Sequence, residues 1–158
     1  MNKTVWSLVI IILISIVFLI QAIYAGDSPK KEARKNADEI ARDLGKMTEV
    51  DDFYLYNGNE TWSVVTGKTE DGKKIGVFVP DEKKKKSQVI ELSEGISEGK
   101  AIAIVKTKKN VNKIVSAHLG MENNQALWEI TYKNDKDLYG YYYLNFKTGD
   151  LIRNYDNL

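Results

Sequence analysis

An uncharged apolar run near the start of the chain, residues 5–25, restricts the possible folds more than any other feature of the sequence. A helix of about 20 residues, rising about 1.5 Å per residue, is long enough to cross the hydrocarbon layer of a bilayer. Trp6 and Tyr24 lie near the two ends of the run, where aromatic side chains favour the membrane interfaces. The run therefore predicts an N-terminal transmembrane helix over residues 5–25.

A cleaved signal peptide is the main alternative to an uncleaved anchor. Ala25 fits the position before a cleavage site, but Ile23 is bulky for the position two residues earlier. The apolar run is also longer than the about 7–15 residues of a signal peptide. The positive-inside rule leaves the orientation open, because Lys3 favours a cytoplasmic start whereas a basic cluster after the run favours the opposite: Lys30, Lys31, Arg34 and Lys35.

The part of the chain that follows the apolar run is electrically balanced. The whole chain has 23 Lys and Arg and 22 Asp and Glu, and Lys3 is the one charged residue before Gly26. Proteins that bind nucleic acid usually carry a large positive excess, so the balance argues against nucleic acid as a partner. The chain has no cysteine, which excludes disulfides, thiolate metal sites and a lipid-modified cysteine.

Two segments have the pattern of a capped helix. The first has an apolar stripe at helical spacing over residues 33–44, and Asp27 or Ser28 followed by Pro29 is its predicted start. The second begins at the capping residue Ser97, with Ile96 and Ala101 placed to pack on each other as a hydrophobic staple. Alternating apolar residues follow each helix, with turn signals such as Asn57-Gly58 between them, and predict antiparallel strands.

The two halves match at a constant offset, which indicates an internal duplication. An offset of 66 pairs five positions: Trp62 with Trp128, Val64 with Ile130, Asp71 with Asp137, Val77 with Tyr143, and Ala37 with Ala103. The sequence therefore predicts an α+β fold with two tandem units, residues 26–92 and 93–158, each a helix packed on an antiparallel sheet. A unit of about 65 residues is marginal alone, so we expect a shared interface.

Three motifs of the second half resemble the PepSY domain. They are a helix opening over residues 95–105, a strand over residues 128–132 and a closing turn over residues 146–152, with Asn145 where many members carry Asp. With the anchor and the duplication, the whole chain resembles the YpmB-like proteins of Gram-positive bacteria. The resemblance implies two tandem cystatin-like (PepSY-like) units outside the cytoplasm, held by a single-pass anchor in the cell membrane, with residues 1–4 as a cytoplasmic tail.

The function that the resemblance implies is a non-catalytic binding or regulatory module of the cell envelope. Its expected partner is an envelope protein, such as a peptidase or an envelope-assembly enzyme. The family supplies no catalytic residues, and we expect no cofactor and no metal. The alternatives are a pilin-like or wall-associated structural subunit and, third, a hydrolase.

Four consecutive lysines after the predicted third strand are a candidate contact for anionic surfaces: Lys83, Lys84, Lys85 and Lys86. Lipid headgroups or wall polymers would attract them. The alternative is an edge or hairpin tip that lysines keep soluble.

Aromatic residues cluster on one predicted strand near the end of the chain. Tyr139, Tyr141 and Tyr143 are candidates for a partner contact, although tyrosine also simply favours strands. His118, the only histidine, is expected to point to solvent and to hold no metal. Trp62 and Trp128 are predicted core anchors.

Overall fold

The computed structural model describes residues 3–82 and 84–158, without the side chains of residues 3–9 and 20–28. It divides into two compact units, Met1–Lys35 and Asn36–Leu158. Helix α1 runs from Lys3 to Asp43, and its last residues belong to the second unit. Among the residues described, no helix is long and apolar enough to cross a membrane. The side chains of much of the predicted anchor, residues 5–9 and 20–25, lie outside the described residues.

The predicted helix start at Asp27 or Ser28 is wrong. Helix α1 continues through Pro29, which lies inside it. A proline within a helix costs about 3 kcal/mol, because it removes one hydrogen bond and crowds the preceding turn. A break would instead create two helix ends, each with about four unpaired backbone groups. The segments on both sides have helix-forming sequences, so one continuous helix is the outcome.

The first lobe consists of the end of α1, residues 36–43, and a four-stranded antiparallel sheet in the order β1-β2-β3-β4. Its strands are β1 (Met47–Asn57), β2 (Thr61–Thr69), β3 (Lys74–Pro80) and β4 (Gln88–Glu91). The predicted turns join them, and Gly72 has a φ of 80°, which glycine adopts without strain. Pro80 ends β3, as its missing N–H predicts.

The second lobe repeats this arrangement after a short 3₁₀ helix, Leu92–Glu94. Helix α2 (Glu98–Lys108) is capped as predicted, since the backbone N–H of Lys100 donates to Ser97 Oγ at 3.3 Å. The second sheet has the order β5-β6-β7-β8. Its strands are β5 (Val111–Glu122), β6 (Gln125–Asn134), β7 (Tyr139–Asn145) and β8 (Leu151–Tyr155). The prediction of an α+β fold with two tandem units is confirmed.

The first sheet is buried on both faces. Val64 belongs to a core shared with the second lobe, whereas its neighbour Val65, also fully buried, lies outside that core on the opposite face. The backbone at Gly45, just after α1, lies against Ile75 and Val77 of that opposite face. The shared core contains Trp62 and Phe78 of the first lobe and, from the second, Trp128 and the buried face of α2. The two lobes therefore share one core and form one compact unit, Asn36–Leu158.

The repeat offset is constant only within β2 and β6. Trp62 and Trp128 are both buried and equivalent, but Val64 pairs with Phe78 whereas Ile130 pairs with Tyr142, an offset of 64. The proposed match of Ala37 with Ala103 is wrong: Ala103 is exposed, whereas Ala101 occupies the buried position in α2. Hairpins and connections of different length in the two copies cause these shifts.

Candidate functional site

Two tyrosines of β1 bind β5 and join the two lobes. The Leu119 backbone N–H donates to Tyr54 Oη at 2.7 Å, and the Tyr54 ring stacks on His118 with centroids 4.4 Å apart. The expectation that His118 points freely to solvent is therefore wrong, since one face of its ring is covered by an aromatic partner from the other lobe. Burial raises the pKa of Tyr54 well above its usual range, so the hydroxyl stays neutral.

A buried carboxylate, Glu122 at the end of β5, is the centre of the same junction. Only 6% of the residue is exposed, and Arg153 of β8 binds both of its oxygens, at 2.5 and 2.6 Å. Tyr56 Oη donates to Glu122 Oε1 at 2.6 Å, and the Asn59 backbone N–H donates to the same atom at 3.3 Å. Every oxygen of this acid thus has a donor, as a buried charge requires.

The hydrogen bonds from Arg153 hold the pKa of Glu122 below its ordinary value, against the opposing effect of burial. The same acid raises the pKa of Arg153 above its ordinary value. The guanidinium also lies over the ring of Tyr143, 4.0 Å from its centroid. Glu122 is consequently ionised at neutral pH and fixed in position, and this arrangement suits a structural link between lobes better than proton transfer.

Close backbone approach makes this junction possible. A Cβ on Gly120 would overlap the ring of Tyr56, and a Cβ on Gly58 would overlap both the Tyr56 side chain and the Glu122 carboxylate. Glycine is therefore required at both positions for Tyr56 to reach β5. Gly58 of the predicted Asn57-Gly58 turn therefore also leaves room for the Tyr56 side chain and the Glu122 carboxylate. A local turn signal could not reveal this second role.

Sequence reasoning missed Glu122 and Arg153. The one available signal is that a charged residue, Glu122, ends a strand whose preceding residues are apolar or small. Its partners come from β1 and β8, which are distant in sequence, so no local pattern connects them.

The predicted tyrosine contact is only partly exposed. Tyr139 is 40% exposed and Tyr141 is half-buried, whereas Tyr143 is only 8% exposed because Arg153 and Tyr155 cover its ring. Tyr143 thus does not lie on an open surface. A partner contact at Tyr139 and Tyr141 stays a prediction.

The lysines of the run over residues 83–86 differ in their contacts and exposure. Lys83 lies outside the described residues. Lys85 forms an ion pair with Glu60 in the turn between β1 and β2, at 2.5 Å, and this contact raises its pKa. Lys84 and Lys86 are exposed. Lys85 therefore stabilises its own lobe, and contact with an anionic surface stays a prediction for the exposed lysines.

No cluster of three or more His, Asp or Glu residues that could hold a metal ion occurs within residues 3–82 and 84–158. Acidic residues in the first part of β1 are used locally: Glu49 pairs with Lys68 at 3.1 Å, and Asp52 accepts from the Phe53 backbone N–H at 2.7 Å.

Two family models match the chain. One, described as "Cell wall elongation regulator TseB-like domain", matches residues 36–80, and the other, described as "Peptidase propeptide and YPEB domain" (PepSY), matches residues 95–155. The two matches coincide with the two lobes. The resemblance of the second half to the PepSY domain is thereby confirmed.

Relatives match the chain over most of its length. The Bacillus subtilis (strain 168) protein named "Probable cell wall elongation regulator TseB" is 34% identical over 145 residues, which are 91% of this chain and 90% of that protein. The solved structure of the YpmB protein from Bacillus subtilis is 35% identical, with a TM-score of 0.70 over 77% of this chain and 95% of that one. The chain belongs to the TseB family, the YpmB-like proteins that contain a PepSY domain.

Proposed function

We propose that this chain is a membrane-anchored, non-catalytic regulator of the bacterial cell envelope. Its two lobes would lie outside the cytoplasm and bind an envelope-assembly enzyme or a peptidase. The observation that carries the proposal is the 34% identity, over 91% of this chain, to a protein named as a cell wall elongation regulator. The match of residues 95–155 to a model described as a peptidase propeptide domain supports a peptidase as one class of partner.

The composition of residues 5–25 supports the anchor. The segment has no charged side chain and is about as long as a bilayer-spanning helix. An anchor of this kind would keep the two lobes close to enzymes that work at the membrane surface.

The junction between the lobes supports a non-catalytic role. Glu122 is a buried acid of the kind that enzymes use, yet both of its oxygens are bound by Arg153 and one also by Tyr56. A general base needs a free oxygen directed at a substrate.

Complementation tests the proposed regulation. The full chain is expressed in Bacillus subtilis strain 168 from which its own TseB has been deleted, and the elongation rate and the incorporation of a fluorescent D-amino acid into the side wall are measured. We expect both to return to the values of the parent strain. A matched chain in which a cleavable signal peptide replaces residues 5–25 is expected to be released and to restore neither. Failure of the full chain at the parental protein level would reject the proposed regulation.

A separate assay tests the absence of catalysis. The purified full chain in detergent is incubated with libraries of peptides, esters and glycans, and hydrolysis is followed by mass spectrometry. We expect no product above the level of the buffer. Hydrolysis that disappears on a point substitution that leaves the protein folded would contradict the non-catalytic assignment and support the hydrolase alternative.

A further inference from the structure

The last strand of the second sheet has an open side. β8 ends the order β5-β6-β7-β8, so its backbone pairs with β7 on one side and with no other strand of the described chain on the other. Unpaired N–H and C=O groups along a strand are a template for another extended segment. This edge thus specifies the conformation of its ligand, which is a β-strand.

The side chains of β8 are apolar where they are exposed. Leu151 is 51% exposed, Ile152 is 43% exposed and Tyr155 is 50% exposed. Arg153, the one charged residue of the strand, is bound by Glu122. Just beyond the strand, Asp156 forms an ion pair with Lys109 and a hydrogen bond with Tyr132. The edge therefore presents apolar surface without an unpaired charge.

The other sheet edges differ from β8 in this respect. β1 has an exposed acidic residue at Asp51, and β5 has an exposed Lys113. β4 ends with Glu91, which forms a solvent-exposed ion pair with Lys73 at 3.1 Å. Exposed charges of this kind discourage the addition of another strand. Among the edges described, β8 combines unpaired backbone with exposed apolar side chains and has no exposed charge of this kind; its pairing with β7 shifts register at Ile152.

We propose that the β8 edge binds an extended segment of a protein partner, which adds a strand to the four-stranded second sheet. The segment carries apolar or aromatic side chains that pack on the exposed Leu151, Ile152 and Tyr155. It has no lysine or arginine opposite Arg153, because like charges directly across a pair of strands repel. The inference rests on the proposed function in one respect: the partner is the envelope protein that this chain regulates.

The experiment uses the full chain in the complementing strain, with a photoreactive benzophenone amino acid at position 155. Irradiation is expected to give one adduct with an envelope protein. The crosslinked segment, identified by mass spectrometry, is then synthesised as a peptide and titrated against the purified full chain. We expect binding of the peptide to slow hydrogen exchange at backbone amides of β8.

Two matched variants separate the two edges. Ile152→Lys places a charge on β8, and Val89→Lys places the same charge on β4, where the valine is 40% exposed. Ile152→Lys is expected to abolish the adduct and to weaken peptide binding about tenfold. Val89→Lys is expected to change neither.

Four outcomes would overturn the inference: no adduct, protection outside β8, equal weakening by both variants, or an adduct with a second copy of this chain that sedimentation shows to be a dimer. The readouts are independent of elongation. If the chain restores elongation but Ile152→Lys has no effect, the proposed function stands and the edge inference fails. If the chain does not restore elongation but the peptide binds β8, the proposed function fails and the edge inference stands.

Discussion

The two lobes have the same architecture, but their last strands differ: β4 carries polar side chains in surface contacts, whereas β8 exposes three apolar side chains. In the first sheet, consecutive residues Val64 and Val65 are both fully buried, one in the shared core and the other on the opposite face. In the second sheet, β8 exposes apolar side chains along an unpaired edge. The exposed side chains of β8 thus give the second lobe an apolar edge.

The polar side chains of the two last strands, β4 and β8, have different partners. On β4, the side chain of Gln88 donates to Asn124 of the second lobe at 3.0 Å, and Glu91 pairs with Lys73. On β8, one charged side chain, Arg153, is directed inward to Glu122. Gln88 connects β4 to the second lobe at the surface, whereas Arg153 stays within the second lobe and holds the carboxylate to which Tyr56 of the first lobe donates.

The largest expected effect tests whether the lobes unfold as one. Trp62→Ala removes a fully buried side chain from the shared core and should lower the free energy of unfolding by about 3–5 kcal/mol. Urea unfolding of residues 36–158 is followed by the fluorescence of Trp128, the tryptophan that remains in that segment. We expect the Trp128 transition to move to lower urea although the substitution lies in the other lobe.

Trp62→Phe is the control, since it keeps most of the buried volume and also leaves Trp128 as the reporter. Its transition should fall between those of the parent and Trp62→Ala. An unchanged Trp128 transition in Trp62→Ala would mean that the lobes unfold independently and that the shared core contributes little.

The second prediction concerns the buried acid that links the lobes. Glu122→Gln keeps the shape of the side chain but leaves the Arg153 guanidinium without a carboxylate, which should cost about 1.5–3 kcal/mol. Chemical denaturation at pH 7 measures this loss. A cost no larger than that of removing a surface ion pair, such as Glu49 with Lys68, would show that burial adds nothing to the contribution of the Glu122–Arg153 pair.

The same substitution should change the dependence of stability on pH. The pKa of Glu122 is lower in the folded state than its unfolded value of about 4.3, so the parent is stabilised above that pH. This stability is lost as the pH falls through the folded pKa, when the carboxylate must be protonated. Glu122→Gln should therefore lose less stability than the parent between pH 5 and pH 2. Chemical denaturation at each pH measures the difference. Asp156, whose pKa is also lowered, is present in both proteins and contributes equally to both curves.

Much of the fold could be predicted from sequence because its signals are local. Alternating residues define β2, β3, β6 and β7, Ser97 caps α2, and turns follow from residues such as Gly72. Hydrophobic periodicity and turn chemistry act within a few residues, which is the range over which one sequence can be interpreted. Trp62 and Trp128, matched by the repeat, are buried as predicted.

The junction and the helix boundary could not be predicted, because they depend on distant groups. Glu122 is bound by Tyr56 and Arg153, which are far from it in sequence, and His118 stacks on Tyr54 of the other lobe. Pro29 has the local features of a helix start, but the helices on both sides continue through it. Tertiary pairing and helix continuity outweighed the local signals at these positions.

A smaller effect should follow from removal of one hydroxyl at the junction. Tyr56→Phe keeps the ring against Gly120 but removes the hydrogen bond to Glu122, and it should cost about 1.5 kcal/mol. Tyr54→Phe is the matched control, because its hydroxyl accepts from a neutral backbone N–H rather than binding a carboxylate. We expect Tyr56→Phe to be the more damaging of the two in urea unfolding, and the opposite order would mean that Tyr54 carries more of the contact between lobes.

The smallest expected effects compare one glycine from each lobe. A Cβ at Gly72 or at Gly99 would meet no atom within 4 Å, so packing is not a factor at either position. Gly99 lies in the first turn of α2, where alanine should stabilise the helix by about 0.5 kcal/mol. Gly72 has a φ of 80°, which disfavours a side chain, so Gly72→Ala should destabilise by about 1 kcal/mol. Thermal unfolding of the two variants should shift in opposite directions, and a shift of the same sign would mean that backbone conformation does not determine the effect.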